Sequence, residues 1–452
     1  MNAIHEVSEE RYVFKPETRS KLLILLAVGF VLFAIGTYTA MSGGAHEEHS
    51  GGHAAAGISK EMVASLDASA EPAAAEHHGS PTWLKRVYTT LWMNNVFFTG
   101  LGLIGLFFVA IQYAAQAGWS VGVKRVAMAM GQWIPIAGVL MLVFWFAGKG
   151  DLFHWTHADL YDKASGDYDA IIDAKGVYFF WPLANGGFPA FFILRLVLFF
   201  GMWYMFFMWI RREMLAEDID GSTAHWSKAR TISAFFLIFF GVSSSVSAWD
   251  WVMSIDTHWF STMMGWYVFA SWWVTGLAMI TLIVSQLKQA GYLKIVNANH
   301  LHDLGKFVFA FSIFWTYIWF SQFMLIFYAN IPEETVYFIQ RRNVSPYSWI
   351  FFANLIINFA LPFLLLMMRD SKRHIGMLKV VCPLVIVGHW LDYYLMVTPG
   401  VMKGEGSLGL LEIGMGVIFM AAFLLVTLST LTKYPLFGKN DPMLQESLGH
   451  HI

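Results

Sequence analysis

The chain has 452 residues, of which 57% are apolar and only 13% charged, and its formal net charge is −2. That balance speaks against a nucleic-acid partner. A lone cysteine, Cys382, rules out an internal disulfide, and with it an iron–sulfur cluster or a c-type haem held by this chain alone.

Forty phenylalanines and twenty tryptophans exceed what a soluble domain of this length carries. Apolar runs of 18 residues or more recur throughout, each long enough to cross ~30 Å of hydrocarbon. Backbone groups in lipid must be satisfied within the segment, so the runs are read as helices. The fold class expected is all-α: a polytopic membrane protein with ten transmembrane helices.

The first segment, "MNAIHEVSEERYVFKPETRSK", is long and partly acidic ahead of its apolar run, which does not fit a cleaved signal peptide. Spans are expected at about 20–41, 91–116, 127–148, 188–211, 231–253, 262–285, 304–329, 347–368, 374–397 and 407–432. The N-terminus, the loops after the even spans up to the eighth and the C-terminus hold 19 of the lysines and arginines; the other five loops hold 9. By the positive-inside rule both termini are cytoplasmic.

Residues 42–84 form an outer loop rich in Ala, Gly, His and Glu, a composition that cannot build a core. Its histidines, His46, His49, His53, His77 and His78, are read as solvated rather than as metal ligands. Residues 1–41 hold the N-terminal segment and first span, and 401–452 the last span and tail. Between them, "SAWDWVMSID" ends span 5 and "GHWLDYYLMVTP" ends span 9, each placing a Trp and an Asp before a Met. An offset of four spans preserves orientation, so 85–260 and 261–400 are expected to be two pseudo-symmetric four-helix bundles flanked by the first and last helices.

Charges within spans are costly, about 2.5–3.5 kcal/mol each on insertion scales, and so mark candidate sites. They are Arg195 in span 4, Asp250 in span 5, His389 and Asp392 in span 9 and Glu412 in span 10. With this topology all fall toward the outer face, ~5–12 Å in. His154 and His157 approach from the loop after span 3. Such one-sided polarity suits a lipophilic quinol that gives protons to the outer phase. Trp249, Trp251 and Tyr393 would wall its ring, and Asp250 or His389 would accept its protons. Plainer readings stand beside these: Asp250 paired with Arg195, His389 with Asp392, Glu412 at the headgroups and the aromatics as an interfacial belt. Asn354 and Asn358, with the serines at 243–247, suit either interhelical hydrogen bonding or a hydrated proton wire. Only His389 lies well inside a span, so bis-histidine haem ligation is not expected.

The stretches "FHWTHADLYD", "VSAWDWVMSIDTHWFSTMMGWYVF" and "HDLGKFVFAFSIFWTYIWFSQFMLIFYANIPEE" carry a resemblance over roughly residues 85–435. The chain resembles the polysulfide-reductase-type quinone-interacting membrane subunits, most closely the shorter of the two copies in bacterial alternative complex III. It departs from the pattern at Phe327. The resemblance implies menaquinol or ubiquinol as substrate and a place in the bacterial inner membrane. It implies as partners a peripheral iron–sulfur subunit, multihaem cytochrome c subunits and a longer sister membrane subunit. It also implies a quinone pocket near the outer face of the first bundle, with roles for Asp250 and His154, and His389 and Asp392 as second-bundle counterparts. Two readings of the chain's part follow: quinol binding with proton transfer, or an assembly role beside a sister that does the oxidation. A secondary transporter is the competing class, though transporter charges usually gather at the bilayer midplane.

Overall fold

A computed structural model describes residues 9–43 and 80–451. The histidine-rich loop and its five histidines lie outside the described residues, apart from the loop's first two residues and its end at 80–84. Among those described, ten helices are long and apolar enough to cross a membrane, and the protein is an all-helical polytopic membrane protein. In chain order they are Pro16–Ser42, Thr82–Ala114, Lys124–Leu152, Ala190–Asp220, Thr223–Ile255, Met263–Gln289, Ala298–Ala329, Tyr347–Leu365, Ile375–Glu405 and Leu410–Leu431.

Several run past the apolar windows that foretell them. The second starts at Thr82 rather than near 91, and the fourth continues to Asp220. Hydropathy reports the part of a helix that sits in lipid, whereas backbone hydrogen bonding continues into the aqueous boundary until a cap stops it. Ser222 caps the fifth helix, its hydroxyl accepting the Ala224 N–H at 3.2 Å. Asn297 and His300 form a capping box on the seventh.

The helices pack in two rings. The second helix touches the third and fifth, and the fourth closes the circuit; the sixth touches the seventh and ninth, and the eighth closes that one. The rings join through contacts of the second helix with the sixth and ninth, and of the fifth with the sixth. The second and sixth helices are accordingly the core, with 89% of the apolar window of each buried, against 11% for the first. At this junction the Trp272 indole lies against Gly100, where a methyl group would overlap the ring, and its N–H donates to the Val96 carbonyl at 3.2 Å.

The tenth helix lies along the second and third and carries the first on its outer side. The terminal segments meet: the Leu436 N–H donates to the Glu10 carbonyl at 2.8 Å, so both ends of the chain leave the bundle together. We call this the terminal end and the opposite one the distal end. Two short helices that the apolar pattern does not foretell, Ala170–Phe180 and Pro332–Asn343, cover the distal end.

The first helix depends on close backbone approach, since a methyl at Gly36 would overlap the Leu411 backbone. Tight packing between small residues is what holds helices together where lipid competes for every apolar surface. Gly36→Leu should therefore detach the first helix from the tenth. A cysteine pair placed across that seam should crosslink in the wild-type background and fail to do so in the variant.

Candidate functional site

Near the distal end of the first ring, Arg195 of the fourth helix and Asp250 of the fifth form a two-pronged ion pair. Nε donates to Oδ2 at 2.7 Å and one terminal nitrogen to Oδ1 at 2.8 Å. The other terminal nitrogen donates to the Tyr178 carbonyl at 2.8 Å. The Tyr178 and Phe191 rings sandwich the guanidinium at 4.1 and 4.6 Å. Both side chains are at most 8% exposed. Planar bidentate pairing is the strongest carboxylate–guanidinium geometry, so both oxygens of Asp250 are committed.

The neighbouring candidates lie around this pair. Trp251 is buried, stacks on Phe200 at 5.5 Å and offers its carbonyl to the Trp92 indole N–H at 2.8 Å. Trp249, beside the pair, is partly exposed. His154 sits edge-on to His157, with 5.6 Å between ring centroids. Between them in sequence, Trp155 stacks on Phe179 at 3.9 Å. These residues roof the ring at the distal end.

The second ring holds a different arrangement. Asp392 of the ninth helix is fully buried, and its donors come from three other helices. The Tyr267 hydroxyl and the Asn354 amide (2.8 Å) donate to Oδ1, and the Trp315 indole N–H to Oδ2 at 3.0 Å. Asn358 donates in turn to the Asn354 carbonyl oxygen. His389, one turn earlier, bonds through Nδ1 to the Ser271 hydroxyl at 2.9 Å and stands 3.8 Å from Asp392 Oδ2. Its Nε2 is buried without a hydrogen-bond partner. Trp315 packs perpendicular to the imidazole at 5.2 Å. Tyr393 faces the sixth helix and donates to the Val268 carbonyl at 3.2 Å. His389 and Asp392 thus stand within ion-pair distance of each other, and each also has partners of its own.

The network also lies deeper than the span boundaries imply. The ninth helix stays helical through Met402, which puts Asp392 ~15 Å of helix from its distal end. Arg341 is the reason. Pro399 has no N–H to give the Leu395 carbonyl, and Arg341 Nε fills that vacancy at 2.7 Å. Its other nitrogens bond Met396, Tyr337 and the Asp256 carboxylate, at 3.1, 2.9 and 2.8 Å. Neither Arg341 nor Tyr267 stands out in the sequence, because each looks like an ordinary boundary residue. Pro399 within an apolar run was the available signal.

Glu412 is a pairing residue too. Arg86 of the second helix grips it at 2.5 and 2.6 Å, and it accepts the Gly409 N–H at 2.8 Å. At the terminal end, Lys124 pairs with Asp441 at 2.6 Å and Arg125 with Asp218 at 2.5 Å. Two shallow grooves open beside them, at the opposite end from Asp250.

No family model matches this chain, and no curated protein matches it in sequence.

Removing one member of a buried pair leaves an uncompensated charge and costs about 3–5 kcal/mol, whereas apolar replacement of both is often neutral. Arg195→Met should destabilise the protein by that amount, and Arg195→Met with Asp250→Leu should recover most of it, read from unfolding curves in mild detergent.

A second expectation concerns Asp169, which caps Ala170–Phe180 and meets His258 at 2.6 Å. Burial opposes its charge, but the N–H groups of Ile172 and Ile171 and the His258 ring outweigh this and hold the carboxyl below its usual value. A depressed carboxyl stabilises the fold above the ordinary range near ~3.9, and that contribution is lost as pH falls through the lowered value. Protection of the 170–180 amides, measured against their intrinsic exchange at each pH, should fall on acidification, and Asp169→Asn should lower it already at neutral pH.

Proposed function

We propose that this chain is a proton-handling membrane subunit of a quinol-oxidising electron-transport complex, with Asp392 and His389 as its working pair. The observation that carries the reading is the state of Asp392. It is a fully buried carboxylate held by neutral donors, with no lysine or arginine paired to it among the described residues, and an imidazole stands 3.8 Å away. A carboxyl group held by neutral donors can exchange a proton without leaving a cation stranded, whereas protonating one paired to a guanidinium strands the cation.

Oxidation of a quinol, menaquinol or ubiquinol, yields two electrons and two protons. In this reading the electrons leave through iron–sulfur and multihaem subunits. His389 Nε2, buried without a partner, is the atom open to proton exchange. Asp392 stabilises the imidazolium that results, and Ser271 holds Nδ1. Both termini are assigned to the cytoplasm of a bacterial inner membrane, and the two rings to a pseudo-symmetric pair of four-helix bundles. The alternating loop charges, the shared contact pattern and the repeated Trp and Asp ahead of each ring's last turn support these assignments.

The closed Arg195–Asp250 pair favours one refinement. The distal end of the first ring then serves as a rigid docking wall, and a sister subunit carries out quinol oxidation. An azido-quinone crosslinked to the intact complex should label the sister, with at most minor label on peptides containing His154, Asp250 or Tyr393.

The decisive variant is Asp392→Asn. In complex reconstituted into vesicles, proton release coupled to quinol oxidation should fall by about a hundredfold, in keeping with loss of a proton-transfer group. Assembly and helix content should be retained. Unchanged proton coupling would make the network a structural one.

A further inference from the structure

We infer that the groove between the third, fourth and tenth helices at the terminal end binds the headgroup of an anionic phospholipid, with Arg211 as its phosphate ligand. The groove is walled by Phe207, Met214, Leu431 and Tyr434 and by Arg125 and Arg211. Its walls are apolar, as acyl chains require, and its charges are both positive.

The two arginines differ in commitment. Arg125 is spent on the Asp218 carboxylate at 2.5 Å and the Pro435 carbonyl at 3.0 Å. Arg211 gives one terminal nitrogen to the Gln132 amide oxygen at 2.9 Å and lies over the Tyr434 and Phe207 rings at 5.0 and 5.7 Å. No carboxylate pairs with it among the described residues. Of the acids nearest in the chain, Glu213 pairs with His225 at 2.6 Å and Asp218 with Arg125, while Glu217 is buried in the adjoining groove beside Lys124. With one terminal nitrogen on Gln132 and no carboxylate partner, the Arg211 cation keeps donors for a phosphate.

Depth agrees with this. Arg211 is ~32 Å of helix from Ala190, close to the ~30 Å thickness of a bilayer's hydrocarbon. The guanidinium therefore sits at headgroup level on the face that carries the larger share of loop lysines and arginines. Basic pockets between transmembrane helices at such a boundary recognise anionic headgroups. The inference does not depend on the proton-handling reading.

The test uses the full chain with whatever subunits accompany it, reconstituted in mixed phosphatidylcholine–phosphatidylglycerol vesicles or in phosphatidylcholine alone. Native mass spectrometry then counts the lipid retained after extraction into detergent. Phosphatidylglycerol should be retained in preference to phosphatidylcholine. Arg211→Gln should weaken that retention about fivefold. Arg211→Lys should keep most of it, and Arg212→Gln, on the exposed neighbour, should leave it unchanged. Equal retention of the two lipids, no loss in Arg211→Gln, or displacement by added inorganic phosphate would overturn the proposal. So would crosslinking of the groove to an acidic segment of another subunit.

Discussion

Between transmembrane helices there is no water to receive a stranded charge or a vacant carbonyl, and in this protein that deficit is met almost entirely across helices. Arg195 reaches from the fourth helix to Asp250 on the fifth, Arg86 from the second to Glu412 on the tenth, and Arg341 from a distal cap to the ninth. Each pair or clamp joins elements that apolar packing alone would hold only weakly, because lipid tails compete for the same surfaces. Satisfying the polar groups and fixing the helix neighbours are thus one requirement.

The two rings use this requirement differently. Each carries a buried aspartate on its last helix. In the first ring the carboxylate is answered by a bidentate guanidinium that two aromatic rings also contact, an arrangement that rigidifies. In the second it is answered by a hydroxyl, an amide and an indole, all neutral, with an imidazole nearby. The donors come from the sixth, seventh and eighth helices, so Asp392 ties the second ring together. A similar motif in the chain leads to a guanidinium partner in one place and to neutral donors in the other.

Arg341 adds a link between these levels. A proline inside the ninth helix would ordinarily end or kink it, yet the freed carbonyl of Leu395 becomes the anchor for a helix that spans the distal end. Asp256, from the end of the first ring, completes the clamp. One vacant hydrogen bond thereby fastens both rings to their cover and extends the helix bearing Asp392, which is why that carboxylate lies so far from the helix end.

Much of this molecule is dictated by the chain taken alone. Apolar runs of bilayer length, loop charges that alternate and few intramembrane charges determine ten helices and the short set of residues worth attention, because hydrophobic transfer and charge desolvation act on each segment independently of the others. The choice of partner is a matter of three-dimensional position. Asp250 against Arg195, Glu412 against Arg86, and Asp392 against Tyr267, Trp315 and Asn354 are separated by tens to hundreds of residues, and no local pattern distinguishes the carboxylate that will meet a guanidinium from the one that will meet neutral donors. The distal caps also escaped the pattern, since they are too short or too polar to register as apolar runs. Whether a buried carboxylate is locked or free to take a proton depends on which side chains the packed helices bring within about 3 Å of it, and only the tertiary structure decides that.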